Sequence, residues 1–330
     1  MRFHTIALAL ILLLSAPAAR AGGFQVGIAD PNAIPAADAR ALGIGVSRQT
    51  VYWQGESHYA GSLAFTPGVA PFVLVLGGRT QVPRSEAERA NLCHFVDSML
   101  SRYPQIRFLG LWGEMRPGHT TWMWDAAYPA ALYGAMIRAC APIVHAHGAY
   151  LVALSAHPMT SEVQPLLDAL RGSGVDVVSA DPYWEYSLDA EFVRRVHSTL
   201  GRIPVWAAED GIETSPEPAF ASLYHGAQPW AYWVSEASQP AYLAAHMQAA
   251  YCAGFSVWLN FLLRDEADLE RWQSGLERPD GSHKPAYAAF AASAAKIASG
   301  KVDCSQPLVP PPVGSHFAEA PHKGQTGRSR

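Results

Sequence analysis

Two glutamates stand at the ends of apolar runs: Glu114 in FLGLWGEMRPG (108–118) and Glu209 in IPVWAAEDG (203–211). A pair of carboxyl groups brought together from distant parts of a chain suits cleavage of a glycosidic bond. One must be protonated, to donate to the leaving oxygen; the other must be ionised, to attack the anomeric carbon or to activate water. A gap of about 5–5.5 Å between them gives retention through a covalent intermediate, and about 6.5–9.5 Å gives inversion. A neighbouring cation such as Arg48 keeps one acid ionised, while burial and repulsion keep a proton on the other.

Such a pair needs a frame. Eight short apolar runs recur along the chain: 24–29, 44–53, 71–78, 106–114, 150–156, 175–183, 204–211 and 255–261. Between them lie helical stretches with clear punctuation. Ser85, with Glu88 three residues on, reads as a capping box opening a helix to Arg102. Further helices are predicted over 126–146, 161–170, 188–200, 235–253 and 284–299, each followed by glycine. Residues 30–43 hold room for one short helix, and 54–70 reads as loop. Continuous apolar strands with helical crossovers imply a parallel sheet covered on both faces. Eight units predict an α/β fold of a single domain, a (β/α)8 TIM barrel. The competing doubly wound sheet lacks support, because no glycine-rich phosphate turn follows the first strand.

In such a barrel the active site forms at the C-terminal strand ends. The second run delivers Arg48 and Trp53 there, the fourth Trp112 and Glu114, and the fifth His157. The sixth delivers Asp181, Tyr183 and Trp184, the seventh Glu209 and Asp210, and the eighth Trp258 and Asn260. Asp210 reads as a structural or solvent-facing neighbour of Glu209, since adjacent strand residues point to opposite faces. Tryptophans at strand ends and in the following loops suit the apolar faces of sugar rings, and polar neighbours read the hydroxyls.

In this order the segments resemble the clan A retaining glycoside hydrolases, which include cellulase-like and β-xylosidase-like families. GLWGEMRP is similar to their fourth-strand W-N-E-P, which implies Glu114 as general acid/base. IPVWAAEDGIET resembles their seventh-strand segment, which implies Glu209 as nucleophile. GVSRQTVYW resembles the second-strand R-x-x-x-x-W, whose arginine supports the nucleophile, and VDVVSADPY the sixth-strand H-x-Y, with Asp181 in place of histidine. GFSVWLNFLLRDEAD is similar to the segment whose tryptophan floors the sugar subsite, here Trp258. GLERPDGSHKPAYAAF resembles the closing signature. Gly113 stands where these families place an asparagine that bonds the sugar 2-hydroxyl, a contact that strengthens in the transition state.

The rest of the chain bounds the setting. Arg2, the apolar run Ile6–Leu14 and Ala19-Arg20-Ala21 predict a signal peptide over 1–21, cleaved after Ala21, and hence a secreted or periplasmic protein. Its nine-residue apolar run is too short to span a bilayer, which takes about 20 residues, so the mature chain is expected to carry no membrane span. The globular part is expected over 22–305, and the proline-rich stretch 306–330 reads as a disordered tail. A formal charge of −4 supplies no field for nucleic acid. Cys93, Cys140, Cys252 and Cys304 allow three pairings, which their spacing leaves open. They contain no C-x-x-C, and His145 and His147, two apart near a helix end, do not share a face, so no metal site is expected. The expected partner is a carbohydrate, with no cofactor; oligomeric state is not encoded in any of these features. Two other readings compete. A catalytically silent sugar-binding barrel would keep the tryptophan groove, and Gly113 suits it; a structural partner of the secretion apparatus would hold the two glutamates far apart.

Overall fold

The strands form because runs such as PFVLVLG and QVGIA are apolar on both faces, which only a sheet buried on both sides accommodates. In the computed structural model, which describes residues 23–30, 32–77, 82–113, 130–156, 163–183, 190–214, 232–267, 272–310 and 314–315, these runs close on themselves. The order is β1 (Gln25–Ala29), α1 (Ala36–Leu42), β2 (Val46–Trp53), β3 (Ala70–Gly77), α2 (Glu86–Arg102) and β4 (Phe108–Leu111). Then come α3 (Ala130–Ala146), β5 (Tyr150–Ala156), α4 (Val163–Ala169), β6 (Val177–Ala180), α5 (Ala190–Leu200) and β7 (Val205–Asp210). The chain ends with β8 (Tyr232–Trp233), α6 (Gln239–Ala253), β9 (Val257–Phe261), α7 (Pro285–Ala298) and β10 (Gly314–Ser315). Strands β1 to β7 and β9 form one closed, all-parallel barrel, so the expected single-domain (β/α)8 fold is the observed one.

Local chemistry sets the element ends. Ser85 accepts from Glu88 N–H while the Glu88 side chain takes the Ser85 N–H, the capping box expected at the start of α2. Gly254 closes α6 in the left-handed region at φ 94°, which a Cβ would strain, and its N–H reaches the last carbonyls. The second crossover, as expected, contains no helix.

Alternation along the strands sorts the core into two shells. Inside the barrel lie Val46, Phe72, Leu74, Phe108, Val152, Val177, Trp206, Ala208, Val257 and Leu259. The Trp206 ring meets Phe72 at 5.7 Å and Phe108 at 4.5 Å, both edge-on, and fills the lumen from wall to wall. The residues of the opposite face, among them Val73, Val75, Leu109, Leu151, Val178, Val205 and Ala207, pack outward against the helices.

Of the three pairings open in sequence, the fold forms Cys93–Cys140, between α2 and α3, and Cys252–Cys304, between α6 and the C-terminal stretch. They close loops of 47 and 52 residues, and in the chain-entropy picture each is worth about 4 kcal/mol. Reduction by a thiol is therefore expected to lower the Tm by about 10 °C per bridge, measured by calorimetry with and without reductant.

Of the expected tail, only 306–310 and 314–315 are among the described residues, and the rest lies outside them. Gln248 Nε2 donates to the carbonyls of Asp303 and Gln306 at 3.1 Å each, and Gly314–Ser315 pair antiparallel with β8. A proline-rich segment has few donors of its own and no core to bury. The Cys252–Cys304 bridge, the Gln248 side chain and the β8 partner strand supply the contacts of its described part.

Candidate active site

Glu209 reaches the lumen from the end of β7 and is 9% exposed. Its two carboxylate oxygens have separate donors. Arg48 Nη2 on β2 pairs with Oε2, and the Tyr183 hydroxyl beyond β6 donates to Oε1. Arg48 points inward because it lies two residues beyond the lumen residue Val46. It is fully surrounded by protein, and Nη1 donates to the Ala208 carbonyl at 3.1 Å. Burial by itself lowers the guanidinium pKa, but the charges of Glu209 and Asp181 outweigh it and leave the group raised. Asp181, just past β6, is buried and acts on both Arg48 and Tyr183. Burial, then the Glu209 charge, pushes the Tyr183 phenol well above its ordinary range. It stays protonated, so it donates to Glu209.

Arg48, Asp181, Tyr183 and Glu209, read separately from three strand ends and the turn after one of them, therefore meet at one point. Their arrangement holds a carboxylate with both oxygens oriented, beside a fixed positive charge, at the end of the barrel where ligands bind.

The tryptophans fall differently. Trp258 is 0% exposed, packs on Phe290 of α7, and donates Nε1–H to Asp210 Oδ2 at 2.8 Å. It lies on the helix side of β9, between the lumen residues Val257 and Leu259. It cannot floor a sugar subsite, which corrects that expectation. Trp53 and Trp112 are buried in the same outer shell and meet edge-on at 6.2 Å. Trp53 is five residues from Arg48, an odd number, so strand alternation sends it to the opposite face. Trp112 has φ 60°, which breaks the alternation started at Phe108. Neither reaches the Glu209 cluster as a sugar platform. Glu114, His157 and Trp184 lie outside the described residues.

An aromatic ring that the sequence reading passed over stands in their place. Trp272, in the loop after β9, is half-buried, stacks on Tyr183 with centroids 5.8 Å apart and planes 19° apart, and meets Phe261 edge-on at 5.5 Å. A lone tryptophan inside the otherwise charged DLERWQSG was the available signal.

A buried ion pair fixes that loop. Lys284 Nζ meets Asp265 Oδ2 at 2.5 Å and also donates to Thr214 Oγ1 at 2.9 Å and the Gln273 carbonyl at 3.1 Å. Asp265 Oδ1 takes the Gly275 N–H at 2.8 Å. The lysine of the KPAY segment thereby ties the exits of β7 and β9 together beside Trp272. Burial lowers the Lys284 pKa and raises that of Asp265, each opposed by the other's charge.

Among the described residues one group has metal-ligand spacing: Asp38, Glu277 and His283, with ligand atoms within 4.8 Å of one another. Its carboxylates already have donors, only one of them cationic. Arg264 donates twice to Glu277 Oε2, at 3.0 and 2.9 Å, and Tyr287 donates to Asp38 Oδ1 at 2.7 Å. No helix among the described residues is long and apolar enough to cross a membrane.

No protein-family model matches the chain, and no curated protein sequence does either. Solved structures do match. A glucosidase from Croceicoccus marinus shares 12% identity at TM-score 0.60, over 83% of this chain and 68% of that one. The exo-β-1,4-mannosidase Op5Man5 from Opitutaceae bacterium strain TAV5 shares 14% at TM-score 0.56, over 84% of this chain but only 60% of its own. An endo-β-1,4-mannanase from Thermotoga petrophila shares 14% at TM-score 0.55, over 84% and 78%. At these identities the likeness is one of fold: the chain has the closed barrel on which these glycosidases are built.

Proposed function

We propose that this chain is an exported glycoside hydrolase that cleaves O-glycosidic bonds in a poly- or oligosaccharide with retention of configuration. The observation that carries the reading is the Glu209 carboxylate, held by Arg48 and Tyr183 at the end of a barrel strand. In the proposed reaction a Glu209 oxygen attacks the anomeric carbon as the bond to the leaving oxygen breaks, and Glu114 gives that oxygen its proton. Water then attacks the same carbon, Glu114 takes the proton from the water, and Glu209 leaves. Arg48 and Tyr183 aim the attacking oxygen and hold the charge that returns to it. Trp272 offers a ring face to the sugar.

Three further facts support the reading. The similar folds are named as a glucosidase, a mannosidase and a mannanase. All four cysteines are paired, as suits an oxidising compartment. The basic, apolar, A-x-A order of residues 1–21 suits export.

The test is hydrolysis of a glycan panel by wild type, Glu209→Ala and Glu114→Gln. Release of reducing ends by wild type, lost in both variants, is expected; undiminished turnover by either removes that residue's role. Gly113, in place of the asparagine of the resembling families, favours a second reading, a sugar-binding barrel without turnover. Oligosaccharide binding in calorimetry with no bond cleavage would select it. Trp272→Ala is expected to raise KM about ten-fold, the effect of about 1.4 kcal/mol of lost ring contact, measured by initial rates.

A further inference from the structure

Strict alternation along β7 would put Glu209 on the wrong face. Trp206 and Ala208 belong to the lumen, and Val205 and Ala207 to the outer shell. The next two residues should then be Glu209 outward and Asp210 inward. The opposite is found. Glu209 meets Arg48 and Tyr183 in the lumen, and Asp210 meets Trp258 on the helix side.

The switch lies in the pairing with β9. Ala207 pairs with Trp258 and Asp210 with Asn260, so three steps on β7 match two on β9. One extra residue is accommodated between them, a bulge that re-aims every side chain after it.

What fixes the bulge is Asp210, which has no exposed surface. Its Oδ2 accepts Trp258 Nε1–H at 2.8 Å and faces His246 Nδ1 of α6 at 2.9 Å, and its Oδ1 accepts the Gly211 N–H at 2.7 Å. The His246 ring is itself held by stacking on Tyr242, with centroids 4.0 Å apart. A buried carboxylate is tolerated only where such donors meet it, and they meet it only on the outer side of the barrel.

We propose that Asp210 is the positioning residue for Glu209: anchored by Trp258 and His246, it locks the bulge that turns the Glu209 carboxylate into the lumen. The inference deepens the glycosidase reading and rests on it for its kinetic readout, but its structural readout stands alone.

Trp258→Phe removes one N–H and keeps a ring against Phe290. On a glycoside that wild type cleaves, kcat is expected to fall about ten-fold with KM within two-fold. Asp210→Asn, which cannot accept from all three donors, is expected to lower kcat about a hundred-fold, as for an attacking group displaced by about 1 Å. The crystal structure of Trp258→Phe is expected to have Glu209 drawn away from Arg48 and Tyr183. Unchanged kcat in Trp258→Phe, or a raised KM at unchanged kcat, overturns the proposal. Should Asp210→Asn fail to fold, Trp258→Phe decides alone. If wild type cleaves no glycoside, the functional reading fails, and the structure of Trp258→Phe still decides: an intact 207–210 register with Glu209 on Arg48 and Tyr183 refutes the anchor.

Discussion

Glu209→Gln is expected to lower kcat by at least about 10⁴-fold, the scale on which losing a nucleophile is felt when the rest of the site survives. The substitution keeps the shape of the side chain and one of its two acceptor oxygens, so the barrel stays folded although the amide can accept from only one of Arg48 and Tyr183. Glu209→Ala goes further. Like the amide it removes the proposed nucleophile and the charge that faces a buried guanidinium, and it also empties the space of the side chain. Uncompensated buried charge costs roughly 3–5 kcal/mol, and Asp181 beside Arg48 places this case at the lower end. The Tm of Glu209→Ala should therefore fall by about 10 °C, and that of Glu209→Gln, which loses the same charge but keeps the packing and one acceptor, should fall by less. Calorimetry beside steady-state kinetics checks both. Full stability of Glu209→Ala would mean that the pair with Arg48 does not hold the strand ends together.

Lys284→Met is expected to cost as much stability as the loss of Glu209, by a different route. The Lys284 ammonium is wholly enclosed and Asp265 nearly so. Removing one partner leaves the other charged in a dry site, which costs about 3–5 kcal/mol and about 10 °C in Tm. Removing both, as Lys284→Met with Asp265→Leu, should return most of that loss, because two apolar side chains of similar size need no solvation. A double-mutant cycle in denaturant measures the coupling. If the double variant were no more stable than Lys284→Met alone, the bonds to Thr214 and Gln273, and not the ion pair, would be what ties the two loops.

The barrel was legible because its strands are continuous apolar runs and its helices carry chemical punctuation at their ends. Ser85 with Glu88 and Gly254 act as read. The Glu209, Arg48, Asp181 and Tyr183 cluster was legible for a related reason: polar residues leaving a buried run have few places to go other than the strand ends. The tryptophans were not. Val257, Trp258 and Leu259 are all apolar, so their types do not report which face each takes. The bulge in β7 and the positive φ at Trp112 are backbone events with no side-chain signature. Trp53 was decipherable, since the odd spacing from Arg48 already set it apart. Trp272 escaped because it lies in a loop, where no periodicity points to its target. The disulfide pairing needed the helices in place before Cys93 and Cys140 could be seen as neighbours.

The wall-to-wall packing of Trp206 with Phe72 and Phe108 has a consequence for traffic. Among the described residues the barrel interior is plugged by these side chains, and Glu209 lies at the C-terminal end of β7. A polymer cannot thread through the barrel; it must lie across the rim or dip one end in and back out. In the proposed reaction, what is severed beside Glu209 would leave by the route its parent arrived, so residues at the C-terminal strand ends would govern departure as much as arrival.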